Sequence, residues 1–229
     1  MNRLLIHVEG QTEETFVNEV LAPHLYSFGF RSIGARLMGN SRIRGGVPSW
    51  GSAKTDFVRH LKEDPRCCHT TMVDYYGMPR GEGRAWPGRI AAVSRPYAEK
   101  AATVEQAIFE DLRLELEDIL YPDQFLPFVL MHEFEGLLFS DCDRFGEGIG
   151  RLDLISSFQA IRDQFDTPEE INDSPVTAPS KRIISLLPGY EKPLFGSLAS
   201  LEIGLDAMKA ECPNFRMWLS RLEQLPQTE

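Results

Sequence analysis

Residues 4–13 read LLIHVEGQTE, and this stretch decides the fold class. Its first half is a short apolar run, which predicts a buried strand that ends before Glu9. A helix is expected to follow at once, because Thr12 is typical of a helix start and Glu13 and Glu14 suit the positive end of the helix dipole. A strand that leads directly into a helix is the repeating unit of a parallel α/β sheet.

The same alternation continues outward from this stretch. The predicted strands cover residues 4–8, 31–38, 67–73 and 125–131, and the predicted helices begin at Thr12 and cover residues 52–64 and 97–120. Four further helices are predicted over residues 152–165, 180–187, 198–211 and 215–225. We therefore expect an α/β fold with a mostly parallel sheet flanked by helices. We expect this domain to cover residues 1–145, with a helical C-terminal extension over residues 146–229 packed on it.

Composition excludes several protein classes. The chain has 229 residues, of which 42% are hydrophobic and 25% charged, as in ordinary folded proteins. No apolar run approaches the ~20 residues that a membrane-spanning helix needs. The four cysteines form no CxxC pair and are too few for a secreted disulfide scaffold, which favours reduced thiols. We expect a cytoplasmic protein without a membrane segment; the sequence leaves the oligomeric state open.

Basic residues are concentrated in two stretches of an otherwise acidic chain. The net charge of −10 argues against a protein that coats nucleic acid by bulk attraction. The stretch between Glu19 and Asp56 nevertheless contains no acid. Two interpretations stay open: solvated loops, or a local face that binds a polyanion. On the second interpretation, the candidate nucleic-acid-binding residues are Arg42, Arg44, Arg80, Arg84 and Arg182.

Carboxylates follow the predicted strands. Glu9, Asp74, Glu133 and Glu135 all stand at or after strand ends, and ligands of such folds bind where the carboxyl ends of the strands meet. Clustered carboxylates repel one another, so they hold a proton or bind a cation. Oxygen ligands favour Mg²⁺ or Mn²⁺ over Zn²⁺, and such an ion can act on phosphate esters. The alternative is that these acids only end strands and cap helices.

The motifs also carry a family resemblance. Residues 4–13 resemble the first motif of Toprim (topoisomerase–primase) domains, in the strand-EGxTE form of relatives of the OLD (overcoming lysogenization defect) nucleases. Residues 72–77, MVDYYG, resemble the second motif, DxD, with Tyr76 in place of the second aspartate. The resemblance implies a magnesium-binding α/β domain. In it Glu9 is the general acid/base or a metal ligand and Asp74 is a metal ligand, while Tyr76 weakens the binding of a second metal ion.

Four further segments are similar to an uncharacterised bacterial Toprim-like family, domain of unknown function 4276, over nearly the whole chain. They are DYYG-P at 74–79, HEFE-LLF at 132–139, PSKR at 179–182 and CP-F--WL at 212–219. We infer, beyond what the resemblance implies, that Glu133 and Glu135 supply the metal ligand that Tyr76 does not. Lys181 or Lys192 contacts the phosphate, as the lysine of OLD-type nucleases does; the alternative is that each is a surface lysine.

The resemblance implies a Mg²⁺- or Mn²⁺-dependent nuclease, acting on DNA rather than RNA beside an ATPase partner in phage defence or DNA repair. The alternative is a non-catalytic Toprim-like binding or regulatory module, which Tyr76 and the acidic net charge favour. We favour the enzyme.

Overall fold

The computed structural model describes residues 2–39, 46–116, 120–121, 123–171 and 176–227. Arg42 and Arg44, two of the predicted nucleic-acid-binding residues, lie outside the described residues. The architecture below concerns the described residues alone.

A five-stranded parallel sheet forms the centre of the molecule. Its strands are β1 (Arg3–Val8), β2 (Ser32–Leu37), β3 (Cys67–Asp74), β4 (Phe125–Leu126) and β5 (Val129–Leu130). The strand order is β2-β1-β3-β4, and β5 also pairs with β3. The central strand β3 is buried along its whole length, as expected for a parallel sheet covered on both faces. The prediction of a mostly parallel sheet flanked by helices is confirmed.

Helices cover both faces of the sheet. The first runs as α1 (Gln11–Phe16), a π-helical turn (Val17–Leu21) and α2 (Ala22–Tyr26). The other helices of the N-terminal half are α3 (Trp50–Glu63) and α4 (Tyr97–Glu115). Those of the C-terminal half are α5 (Cys142–Gly148), α6 (Ile155–Arg162), α7 (Pro179–Leu186), α8 (Ser197–Glu211) and α9 (Pro213–Gln224). The helical character predicted for the C-terminal part is confirmed.

The strand predicted over residues 125–131 is wrong as a single element, because it is interrupted between β4 and β5. Pro127 has no N–H to donate to the ladder. The next residue, Phe128, pairs instead with a side chain of β3: its N–H donates to Thr71 Oγ1 at 2.9 Å, and the Thr71 hydroxyl donates back to the Phe128 carbonyl at 2.9 Å.

The sheet separates two apolar cores. One core packs β1 and β3 against α1 and the C-terminal helices, and the other packs β3 against α3 and α4. Trp218 of α9 joins the C-terminal part to the sheet, because its ring stacks on Phe128 at 4.3 Å and its Nε1–H donates to Thr70 Oγ1 at 2.8 Å. The division of the chain at residues 145 and 146 stays a prediction. In the part of the chain described above, no helix is both long enough and apolar enough to cross a membrane.

Candidate active site

Glu9 and Asp74 lie side by side at the carboxyl edge of the sheet. Glu9 directly follows β1 and Asp74 ends the neighbouring strand β3, so parallel pairing brings them together. The Asp74 N–H donates to Glu9 Oε2 at 3.4 Å, and Asp74 Oδ1 accepts the N–H of Phe134 at 3.0 Å. Asp74 points to the same sheet face as Met72, which packs in the core beside α1 and the C-terminal helices.

Gly77 leaves room for the Glu9 carboxylate. A Cβ at Gly77 would lie 2.8 Å from Glu9 Oε2 and 2.9 Å from Val47 Cγ2, closer than real Cβ atoms approach their neighbours. The DYYG segment therefore supplies Asp74 and, three residues later, the close backbone approach that fixes Glu9.

Glu13 is a site residue that the sequence interpretation assigned only to the helix dipole. It lies in the first turn of α1 and is buried, and its charge acts on both Glu9 and Asp74. Backbone N–H groups of Glu13 itself and of Gly10 favour its ionised form, as in helix N-terminal capping. The signal was the short spacing, since Glu13 lies in the first turn of a helix that begins only two residues after Glu9.

Burial and mutual repulsion raise the pKa values of these carboxyl groups. Burial is the largest cause at Glu9, where the charge of Glu13 adds to it and the pKa rises to about 7. Burial raises the pKa of Glu13 to about 6, with a further contribution from Glu135. The pKa of Asp74 lies well above its ordinary value, because it is buried beside Glu9 and Glu13. The cluster therefore resists full ionisation unless a cation joins it.

Lys192 is the lysine that the fold brings to these carboxyl groups. Its Nζ lies 3.0 Å from Oε2 of Glu135, whose side chain is only 1% exposed. Burial lowers the pKa of Lys192, but the carboxylates of Glu135, Glu133 and Asp74 outweigh burial and raise it, so the ammonium stays protonated. Lys192 opens a π-helical turn that ends at Gly196, where a Cβ would lie 2.9 Å from Thr12 Cγ2. The EGxTE motif thus packs against the turn that carries the lysine.

The other predicted residues of the C-terminal part have different surroundings. Glu133 Oε2 accepts the N–H of Ser180 at 3.1 Å, so Glu133 caps the start of α7 while its charge still acts on Glu9. Lys181 is exposed in the first turn of α7. The Arg182 guanidinium lies 5.1 Å over the Phe165 ring, and its Nε donates to the Thr177 carbonyl at 2.8 Å.

Tyr76, at the position of the second motif aspartate, lies among rings. Its ring centroid is 5.0 Å from that of His132. The loop that follows carries Arg80 and Arg84, both exposed. Buried Arg89 ties this loop to the end of β3, because its Nε donates to the Tyr75 carbonyl at 2.8 Å and its guanidinium stacks 3.7 Å over the Tyr75 ring.

The donor set fits a hard divalent cation held in part by other ligands. Glu9 and Asp74 offer carboxylate oxygens, with Glu13 and Glu135 in the surrounding charge cluster. Within the described ranges, no group of three or more His, Cys, Asp or Glu side chains is arranged to hold a metal ion by itself. Mg²⁺ commonly keeps several waters and takes one or two carboxylates plus substrate phosphates. The arrangement therefore suits an open site that a phosphate would complete.

Comparison with known proteins gives a family. None of the curated proteins matches the chain. Among solved structures, the C-terminal region of the Burkholderia pseudomallei OLD protein is similar over 99% of both chains, with 15% identity and a TM-score of 0.46. The C-terminal region of the Xanthomonas campestris pv. campestris OLD protein is similar over 99% of this chain and 97% of that one, with 16% identity and a TM-score of 0.44. A family model described as a domain of unknown function matches residues 8–223, and the chain therefore belongs to the DUF4276 family.

Proposed function

We propose that this protein is a Mg²⁺- or Mn²⁺-dependent phosphodiesterase that cleaves nucleic acid, a nuclease of the Toprim type. One observation carries the proposal: carboxyl groups from four segments gather at the carboxyl edge of the sheet, raise one another's pKa values and lie beside a protonated lysine. Such a set favours a bound cation, and a cation next to an ammonium group suits a phosphate ester.

Each residue of the site has a distinct role in this proposal. Glu9 and Asp74 would hold the ion, which supplies charge neutralisation at the phosphoryl oxygens and a more acidic water. Glu9, with a pKa of about 7, can also take or release a proton at its carboxyl oxygen near neutral pH. Lys192 binds a phosphoryl oxygen through its ammonium group. Glu135 positions that lysine and keeps it protonated.

The finer parts of the proposal rest on the motif resemblance. The resemblance of residues 4–13 and 72–77 to the Toprim motifs of OLD-type relatives supports DNA over RNA as the substrate. It also supports an ATPase partner and a place in phage defence or DNA repair, in the cytoplasm. The DNA substrate, the ATPase partner and the role in defence or repair are inferred by analogy. They depend on the nuclease assignment and are not evidence for it.

A non-catalytic module is the second candidate, and Tyr76 favours it. Toprim nucleases with the DxD motif have a carboxylate at the position that Tyr76 occupies in this chain. The Tyr76 ring packs against His132. Glu135 compensates only in charge, since its carboxylate is paired with Lys192. A protein with one weak metal site could bind nucleic acid and leave it intact.

Metal titration and cleavage, measured together, test the proposal. Mg²⁺ and Mn²⁺ are titrated calorimetrically into wild type, Asp74→Asn and the exposed control Asp206→Asn, with and without a non-hydrolysable oligonucleotide. We expect metal binding in wild type and Asp206→Asn and its loss in Asp74→Asn. The same variant should lose metal-dependent cleavage by about 1,000-fold or more, since the ion contributes several kcal/mol to transition-state stabilisation.

The possible outcomes separate the two candidates. Metal binding without cleavage of single-stranded or double-stranded DNA or RNA would favour the non-catalytic module. Cleavage that survives in Asp74→Asn would remove Asp74 from the mechanism, and absence of metal binding even with the oligonucleotide present would contradict the proposed function.

A further inference from the structure

A second set of charged residues lies at the same edge of the sheet, on the face covered by α3. His7 of β1 and Arg36 of β2 are register partners, so their side chains point to the same face of the sheet. The His7 ring meets Phe57 of α3 at 4.6 Å, which identifies that face. A pocket of about 280 Å³ opens there, lined by His7, Arg36, Leu37, Met38, Gly39, Asp56, Arg59 and His60.

Positive charge predominates in this pocket, which we call the arginine pocket. Arg36 is exposed and, among the described residues, makes no hydrogen bond or ion pair. Arg59 Nη2 lies 2.9 Å from Asp56 Oδ1 and 3.2 Å from His60 Nε2. The pocket thus contains two guanidinium groups against one carboxylate, with a net positive charge even when its histidines are neutral.

The histidines of the arginine pocket are held neutral. The His7 ring stacks between those of His60 and His69, with centroids 5.4 Å and 5.6 Å away. Burial is the main cause that lowers the pKa of His60, and the charges of Arg59 and Arg36 lower it further, outweighing the opposite effect of Asp56 and Glu63. Arg36 therefore faces the histidines, and the field at this point favours a negative group. His60 Nδ1 is buried without a hydrogen-bond partner among the described residues.

The pocket adjoins the acidic site without sharing its residues. The Met38 N–H, just after β2, donates to the Val8 carbonyl at 2.9 Å, one residue before Glu9. A nucleic acid bound at Glu9 carries further phosphates on either side of the cleaved one, and the arginine pocket lies at the neighbouring strand end. Guanidinium groups suit such groups because they bind phosphate oxygens in a two-pronged geometry.

We propose that the arginine pocket binds a backbone phosphate of the nucleic acid, through Arg36 and Arg59, beside the site of cleavage. This inference rests on the proposed function for the identity of the ligand, but the pocket's affinity for phosphate does not depend on metal or on cleavage. The same chemistry could take free phosphate or a mononucleotide, so the experiment includes both sources.

Binding is measured in EDTA, where no cleavage occurs. A fluorescent oligonucleotide is titrated into wild type, Arg36→Ala, Arg59→Ala and Arg31→Ala over a range of salt concentrations. Arg31 is the matched control, because it is an exposed arginine just before the opposite end of β2. We expect Arg36→Ala and Arg59→Ala each to lower the affinity for the oligonucleotide by about tenfold or more. Each should also reduce the slope of log affinity against log salt concentration by about one phosphate contact, whereas Arg31→Ala should leave both quantities nearly unchanged.

Asp56→Asn gives a change of opposite sign. It removes the carboxylate from the pocket, so the oligonucleotide should bind several-fold more tightly. A second titration tests whether the pocket binds free phosphate or a mononucleotide instead. Inorganic phosphate or a nucleoside 5′-monophosphate is added, and the NMR signals of the His60 ring are followed.

Equal losses in Arg36→Ala and Arg31→Ala, or an unchanged affinity in Asp56→Asn, would overturn the proposal. A response to free phosphate with unchanged oligonucleotide affinity would overturn the nucleic-acid assignment. Arginine-dependent binding in a protein that proves unable to cleave would support the pocket and contradict the nuclease.

Discussion

The two faces of the sheet's carboxyl edge carry opposite charge. On the face of α1 and the C-terminal helices, clustered carboxyl groups have raised pKa values, with Lys192 among them. On the face of α3, guanidinium groups surround histidines of lowered pKa, with Asp56 among them. At neutral pH, the ionised carboxyl groups of the first face therefore lower the free energy of unfolding in the absence of a ligand. Like charges retained at such a cost are what a site for a divalent cation next to phosphate groups requires.

Outside the carboxyl groups themselves, Gly77 gives the largest expected effect. A Cβ at Gly77 would meet Glu9 on the acidic side and Val47 beside it. Gly77→Ala should displace the Glu9 carboxylate, and a misplacement of about 1 Å at a reacting group costs on the order of 100-fold in rate. The rate of metal-dependent cleavage measures the effect on the acidic face. The affinity for the oligonucleotide in EDTA measures the effect on the basic face.

Gly81→Ala is the matched control for this substitution. Gly81 lies in the same loop, is exposed, and a Cβ there would meet no atom within 4 Å. We expect cleavage close to that of wild type. Equal rates in the two variants would show that the close approach of Gly77 to Glu9 has no functional consequence and would weaken the assignment of Glu9.

The next effect concerns the residue of opposite charge on each face, which is Lys192 on the acidic face and Asp56 on the basic face. Glu135 is almost fully buried, so Lys192→Met should leave a carboxyl group without its partner. We expect the free energy of unfolding at pH 8 in EDTA to fall by about 1–3 kcal/mol, less than for a fully buried pair because Lys192 is partly exposed. On the basic face, the side chains of Asp56 and Arg59 are each more than a third exposed, so Asp56→Asn should cost under about 1 kcal/mol.

A double variant identifies the cause of the loss. Lys192→Met with Glu135→Gln removes both charges, so it should be more stable than Lys192→Met alone in urea unfolding. If the double variant is less stable than the single one, the loss comes from packing of the lysine stem, and the acidic face does not depend on this pair.

The sequence predicted one face of the edge better than the other. Glu9 and Asp74 could be placed together because parallel strands end at a common edge, which is a local rule. Glu13 was assigned to the helix dipole, since the strand pattern does not show how closely α1 follows β1. Lys192 could not be distinguished from Lys181, because the packing of Gly196 against Thr12 decides between them.

The basic face depends on packing that no local pattern encodes. His7 and His69 lie within strands and both are buried. The third ring, His60, joins them only because α3 packs on that face of the sheet. Arg36 belonged to an acid-free stretch, but its place opposite His7 follows from the β1–β2 register. The break at Pro127 was missed because the apolar run continues through it.

The opposite pKa shifts of the two faces predict a pH dependence of stability, the smallest effect. The buried histidines have folded pKa values below about 6.5, so just above pH 6.5 the unfolded state still binds more histidine protons than the folded state. This contribution raises the free energy of unfolding as pH rises and fades by about pH 7.5.

Glu9 has a folded pKa of about 7 against an unfolded value of 4.5, so the folded state binds more protons between these values. The Glu9 contribution to the free energy of unfolding in EDTA should therefore fall between pH 6.5 and pH 8, on the order of 1 kcal/mol, or about 2–4 °C in Tm. Comparison of wild type with Glu9→Gln isolates this contribution, because both proteins share the same histidines. Glu9→Gln should flatten this slope. Mg²⁺ should stabilise the wild type more at pH 8 than at pH 6.5, because the ion binds the ionised carboxylates. An equal pH dependence of Tm in wild type and Glu9→Gln would mean that Glu9 is already ionised in the folded protein. The acidic face would then need no cation to hold its charges.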